Sequence, residues 1–322
     1  MSRVLITGGG GFLGQKLAKA LANAGTIRGK AIRDLVLADV VLPAAVEAEF
    51  SVARIVSDMA DADAVDRLWG AGFDVIYHLA AVVSGAAEAD FDLGMGANLT
   101  GTINLAMRAR AAGTCPVFVY ASSIAVHGGE VPDPVPEGAE LNPQTSYGAQ
   151  KAMGELLIQD MSRKGYIDGR GLRLPTVSVR PGKANAAASS FMSSIFRDTL
   201  EGRTANCPVS GTYAVWHSAP RTIIQNLRHA AEVDGAAFGF NRNINLPGRS
   251  DTIDAMIDAM RKVAGEDPAS RITWDRDPVV EKIALGWRGN VAHEKALKLG
   301  FKADRSFEDS IRWFLEDDIN PG

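Results

Sequence analysis

The chain has 322 residues, 46% of them hydrophobic, and a formal net charge of -4, which suits one large domain with a smaller companion and an ample core. A pI near 5.8, with no Lys/Arg run interleaved with aromatics, argues against a nucleic-acid partner. Two cysteines, Cys115 and Cys207, lack metal-ligand spacing and indicate a reducing compartment without a zinc site.

The N-terminus runs directly into an apolar strand at 3–6 with no signal-peptide pattern, and no apolar run reaches membrane-spanning length, so a cytoplasmic location is expected. Immediately after this strand comes Thr7-Gly8-Gly9-Gly10-Gly11-Phe12-Leu13-Gly14, which opens a helix marked by Leu13, Leu17 and Leu21. Gly8, Gly11 and Gly14 fall at G-x-x-G-x-x-G spacing in the strand-turn-helix context of a dinucleotide fingerprint. Glycines there permit a tight turn and let backbone N–H groups approach a pyrophosphate. A second strand at 35–38 ends at Asp39, near the roughly 20-residue interval at which an acid meets the adenosine ribose. An acid followed by Val40 and Val41 rather than basic residues favours NAD over NADP. After a third strand at 52–56, Asp58 is a candidate for reaching the adenine, with Met59 against its face.

A fourth strand spans 75–78, and 98–112 reads as a long helix with Leu99, Ile103, Leu105 and Ala106 inward. A fifth strand at 117–120 leads to Ser122-Ser123. The loop over 127–145, rich in Pro, Gly and acids, is compatible with a site border or with a plain surface loop. Pro143 and Thr145-Ser146 then signal a helix start, which places Tyr147 in the first turn. Tyr147 and Lys151 lie about one turn apart on one helical face, so phenol and ammonium share a space. A sixth strand covers 172–174. Beyond Pro181 the pattern loosens to a helix at 189–201, a strand at 243–246, and helices at 251–264 and 307–314. Alternating strands and helices predict an α/β fold, a Rossmann-type doubly wound parallel sheet. The expected division is an NAD-binding domain at 1–176, with parts of 211–248, and a smaller interleaved, mainly substrate-binding domain at 177–322.

A Tyr-x-x-x-Lys pair alone occurs by chance in many helices. Preceded by a hydroxyl at Ser123 and a glycine-rich turn, it reads as a nicotinamide-dependent oxidoreductase. A free phenol, with pKa about 10, is too protonated for a base at neutral pH and needs a nearby cation. His78 and His127 stand at strand ends, where structural roles are the ordinary reading.

These residues come in an order that resembles the extended branch of the short-chain dehydrogenase/reductase family. The matching pieces are the 7–14 turn, Asp39, 78–81, 98–102, 120–128, the Tyr147/Lys151 pair, 173–177 and 244–248. The resemblance implies that Ser123 orients substrate and that Lys151 also holds the nicotinamide ribose. It further implies that Leu79, Ala80, Ala81, Pro175 and Val177 line the nicotinamide side, with Asn98 near the cofactor. A homodimer through the Asn98 and Tyr147 helices is the family's arrangement. The substrate half departs from nucleotide-sugar enzymes at Thr176, at Val126-His127-Gly128 and through 177–191. That tract and 216–224 are similar to the D-erythronate dehydrogenase branch, which oxidises a four-carbon sugar acid at C2. A small acid needs a carboxylate clamp, for which Arg180 and Arg221 are candidates; ordinary ion pairs are the alternative for both. Ser84 and Thr176 join Ser123 and Tyr147 on the substrate side. Two other functions stay open: a nucleotide-sugar 4-epimerase with bound NAD, and a non-catalytic NAD-sensing regulator.

Overall fold

The structure, a computed structural model, describes residues 1–182 and 188–320. Its centre is a sheet of seven parallel strands. In chain order these are β1 (Ser2–Thr7), β2 (Lys30–Asp39), β3 (Ser51–Val56), β4 (Val75–His78), β5 (Val117–Ser123), β6 (Asp168–Leu174) and β9 (Asn243–Asn245). Their spatial order is β9-β6-β5-β4-β1-β2-β3, with the short strand Thr26–Ile27 antiparallel on β2. The strand order therefore reverses between β1 and β4. In open parallel sheets that switch point is where a crevice forms at the carboxyl ends of the strands.

Side-chain alternation explains why helices cover both faces. Val4 and Ile6 join Leu17 and Leu21 of α1 (Phe12–Ala24) and Ile223 and Leu227 of Pro220–Glu232 in one core. Leu5 points the other way, packing with Phe118 of β5 and with Val65, Leu105 and Ile158 from α2 (Ala62–Trp69), α4 (Gly101–Ala112) and α5 (Ser146–Arg163). A short α3 (Ser84–Ala89) precedes α4. A separate core joins Val179 with Val215, Phe196, Met256 and Ile311, the last four drawn from β8 (Ala214–Ser218), α6 (Phe191–Leu200), α8 (Ile253–Ala264) and α9 (Phe307–Phe314). A three-stranded sheet links the halves: β7 (Thr176–Val177) pairs with β8, and β8 pairs with β10 (Arg249–Thr252). The chain then returns through α7 (Pro220–Glu232) to β9, at the edge of the main sheet.

Two readings need correction. The helix expected at 98–112 enters through Phe91–Gly94 and a π turn at Met95–Thr100, and only Gly101–Ala112 is regular α-helix. Within it Ile103 is 38% exposed: Ile103 and Met107, four apart, share the outer face, while Thr102, Leu105, Ala106 and Ala109 face inward. The helix expected from 251 begins at Ile253, capped by Thr252, because 249–252 is strand β10. Among the described residues no helix is long and apolar enough to cross a membrane.

Candidate active site

Where β1 ends, the glycine turn is packed too closely for side chains. A Cβ on Gly8, whose φ is +73°, would meet Ala80 N at 2.7 Å, and one on Gly14 would meet Gly8 O at 2.2 Å. The turn is thereby pressed against the loop after β4 and against its own helix. Gly11 caps α1 without any side-chain bond, so the helix start presents backbone N–H groups to the crevice, where an anion is favoured. Asp39 stands at the mouth: its Oδ2 accepts from Gly10 N–H at 2.9 Å and its Oδ1 from Val40 N–H at 2.7 Å. Cβ-free backbone, a bare helix N-terminus and a carboxylate beside it fit a dinucleotide with an unphosphorylated ribose. Phe12 and Leu13 are half-buried in the first turn. Asp58 is exposed and accepts from Ala60 N–H at 2.9 Å. Met59 is 5% exposed and belongs to the core with Leu105.

The crevice floor is held by buried polar ties. His78 Nδ1 lies 2.7 Å from Thr7 Oγ1 and its Nε2 lies 2.9 Å from Thr102 Oγ1. Thr102 already donates its hydroxyl hydrogen to Asn98 O at 2.7 Å, so Nε2 is the donor of a neutral imidazole. Burial holds His78 at about 3, a structural role spanning β1, β4 and α4. Asn98 is completely enclosed. Its Oδ1 accepts from Val82 N–H at 2.8 Å, and its Nδ2 donates to Gln150 Oε1 at 2.8 Å and to Val82 O at 3.3 Å. Its amide fastens the loop carrying Leu79, Ala80 and Ala81 to α5.

Thr145 caps α5 by accepting Gly148 N–H at 3.1 Å, as its sequence signal implies, and Glu88 of α3 accepts Ser146 N–H at 2.9 Å. The helix start rests on the turn that follows β5; a Cβ on Gly148 would meet Ala125 O at 2.3 Å. This contact brings Ser123 to Tyr147. Burial raises the Tyr147 phenol, and a hydrogen bond with the Ser123 side chain opposes that. One turn on, Lys151 is 2% exposed and donates to Ala121 O at 2.9 Å. Its Nζ lies 5.7 Å from the centre of the Tyr147 ring. Burial pulls the Lys151 ammonium down to about 8, with Glu155 opposing. Ser123, Tyr147 and Lys151 thus assemble at the carboxyl end of β5. The 127–145 loop between them is fastened to the C-terminal part: Val135 exchanges backbone bonds with Asn290 and Ala292, and Arg288 Nη2 donates to Gly129 O at 2.8 Å.

On the substrate side, Pro175 is buried, and Thr176 and Val177 form β7, opposite His217 and Ser218 of β8. Ser84 opens α3, half-buried. Arg180 follows β7, fixed through its backbone: its N–H donates to Ser193 Oγ at 3.2 Å and its carbonyl accepts from Arg197 at 3.4 Å. Burial and the Arg197 charge lower its pKa, and no acid pairs with it among the described residues. Arg221 is different. Its Nε and Nη2 bind Asp317 at 2.8 and 2.5 Å, Nη2 also binds Glu316 at 2.8 Å, and its guanidinium lies over Trp313. It also lines a groove with Arg228, His229 and Lys302 that contains no other proposed site residue. Nε and Nη2 of Arg221 are thus held by Asp317 and Glu316, whereas Arg180 has no acidic partner among the described residues. Residues 183–187, most of the alanine-rich 184–188 tract, lie outside the described residues. Residue-by-residue reading missed Glu155 and Ser122; the only available signal was an acid one turn beyond Lys151 on the same face.

A family model described as the NAD dependent epimerase/dehydratase family matches residues 4–218. Over 318 residues the chain is 47% identical to a D-erythronate dehydrogenase of Cupriavidus necator, covering 98% of each chain. A D-erythronate dehydrogenase of Haemophilus influenzae is 41% identical over 317 residues, 98% of this chain and 100% of that one. A crystal structure described as the nucleoside-diphosphate-sugar epimerase from Agrobacterium tumefaciens superposes with a TM-score of 0.96 at 40% identity, covering 100% of this chain and 95% of that one.

Proposed function

The chain belongs to the NAD dependent epimerase/dehydratase family, and from that premise we propose that it oxidises the C2 hydroxyl of a small sugar acid such as D-erythronate to the 2-keto acid. The observation that carries the chemistry is the assembly of Ser123, Tyr147 and Lys151 at the carboxyl end of β5. The Tyr147 phenolate takes the proton of the C2 hydroxyl, and Ser123 hydrogen-bonds the reacting oxygen. Lys151 stabilises the phenolate by charge and holds the ribose hydroxyls. NAD, when bound, supplies the acceptor for the hydride that leaves C2. Gly8, Gly11 and Gly14 admit its pyrophosphate and Asp39 its adenosine ribose, while Ala80, Ala81, Pro175 and Val177 border the nicotinamide. Arg180 meets the substrate carboxylate, with Ser84 and Thr176 nearby in this assignment.

Substrate choice is supported by two D-erythronate dehydrogenases at 41–47% identity over nearly the whole chain. The description of the solved relative as an epimerase keeps one rival reading, and the intact Ser123, Tyr147 and Lys151 weigh against a non-catalytic sensor. We divide the labour at 176, with 220–246 returning to the cofactor domain. Two free thiols, one of them exposed, support a reducing, cytoplasmic setting. A homodimer is supported by the apolar outer face of α4 and α5, where Ile103, Met107, Met153 and Leu156 are 38–59% exposed. The test is net NADH. D-erythronate with excess NAD should give many equivalents per active site, and UDP-glucose neither NADH nor a changed epimer ratio. Epimer interconversion without NADH would replace this reading with the epimerase.

A further inference from the structure

One turn beyond Lys151, on the same face of α5, Glu155 has no exposure at all. Its carboxylate is saturated. Ser122 Oγ donates to Oε1 at 2.5 Å, and Arg173 donates from Nε at 2.9 and 3.1 Å and from Nη2 at 2.7 Å. Arg173 is itself 4% exposed, and its Nη1 reaches Asn245 Oδ1 at 3.3 Å and His127 Nε2 at 3.2 Å. A buried carboxylate is tolerated only when so completely partnered.

Position gives these bonds their meaning. Ser122 and Arg173 are register partners across β5 and β6, so Glu155 fastens both strands to α5 at one level. At the end of β5, Ser122 bonds Glu155 and its neighbour Ser123 bonds Tyr147, so adjacent residues meet two levels of one helix face. Arg173 in turn stands directly before 174–177, which leads into the substrate side. We infer that Glu155 is a positioning residue for the Tyr147–Lys151 pair: clamped by Ser122 and Arg173, it keeps the strand bearing Ser123 and the helix bearing Lys151 in register and supplies the carboxylate toward which the Lys151 ammonium is drawn. This inference rests on the reading of Lys151 as the cation that serves Tyr147.

The groups around Lys151 fix the sign of the effect. Tyr147 and Glu155 face it from α5, and Tyr120 and the Ala121 carbonyl from β5. His78 faces it from β4 as a neutral ring, and Arg173 lies behind Glu155 on β6. Of these, Glu155 opposes the downward pull of burial on the ammonium. Replacing it by an amide removes that support and leaves the Arg173 charge uncompensated. Both changes release the Lys151 proton at lower pH.

The experiment is the pH profile of kcat/KM for D-erythronate oxidation by the full chain with saturating NAD. In wild type the alkaline limb should fall near pH 8. Glu155→Gln should move that limb down by about one pH unit or more. Glu155→Asp keeps the charge and shortens the reach, so kcat should drop roughly 10- to 100-fold, the scale of a small misplacement, with the limb in place. A folded Glu155→Gln whose profile superimposes on wild type would overturn the inference. If Glu155→Gln does not fold, Ser122→Ala decides: it removes one tie and leaves the charge, and an unchanged kcat would refute the positioning role. Failure of wild type to oxidise any sugar acid would instead count against the functional reading itself.

Discussion

Tyr147 can act as a base only in its anionic form; burial works against that form and the Ser123 hydrogen bond works for it, and in the proposed mechanism the Lys151 charge adds its support. Tyr147→Phe retains the ring and deletes the proton acceptor, so turnover should fall at least about 100-fold with NAD affinity largely kept. Steady-state rates and a cofactor titration check both halves. The two arginines make a sharper pair. Arg180→Ala should raise KM for a sugar acid over that for its uncharged alcohol analogue by roughly 10- to 100-fold, the worth of one charge-assisted pair. Arg221→Ala should leave that ratio alone, since its partners are Asp317 and Glu316; equal losses on acid and alcohol in Arg180→Ala would remove it from the site.

At the scale of elements, the site depends on how α5 seats on the turn after β5. Gly148→Ala would set a methyl 2.3 Å from Ala125 O and 2.9 Å from Pro143 Cβ, so the helix start must move away from Ser123. A shift on the order of 1 Å costs about 100-fold in rate. Far-UV circular dichroism should be unchanged while kcat falls, and an unaltered kcat would mean that the contact yields without cost. Local signals made this element legible in the sequence: a capping Thr145, a tyrosine in the first turn and a lysine one turn on. Glu155, Ser122 and Arg173 meet from positions 33 and 18 residues apart, and nothing in any one segment announces that meeting. The outward turn of Ile103, the burial of Met59 and the ion pairs of Arg221 escaped the sequence for related reasons. An apolar residue does not say which neighbour covers it, and a guanidinium does not say which carboxylate has already claimed it.

For the molecule as a whole, the doubly wound parallel sheet was readable from alternating apolar strands and amphipathic helices, whereas the spatial order that sets the switch point came from the structure. Less readable was the return of 220–245 to the sheet, because β9 is three residues long and polar at both ends. The homodimer proposed above would bury the outer apolar face of α4 and α5. A Met107→Glu, Leu156→Glu double variant should sediment as a monomer where wild type sediments as a dimer; equal sedimentation would place the interface elsewhere. The central claim is hydride transfer from C2 of a sugar acid to NAD at the Ser123–Tyr147–Lys151 site. Its most direct test is oxidation of D-erythronate carrying deuterium at C2, followed by mass spectrometry of the reduced cofactor. One deuterium per NADH, absent with Tyr147→Phe, is the predicted result. NADH free of the label, or label found only in water or in recovered substrate, would contradict it.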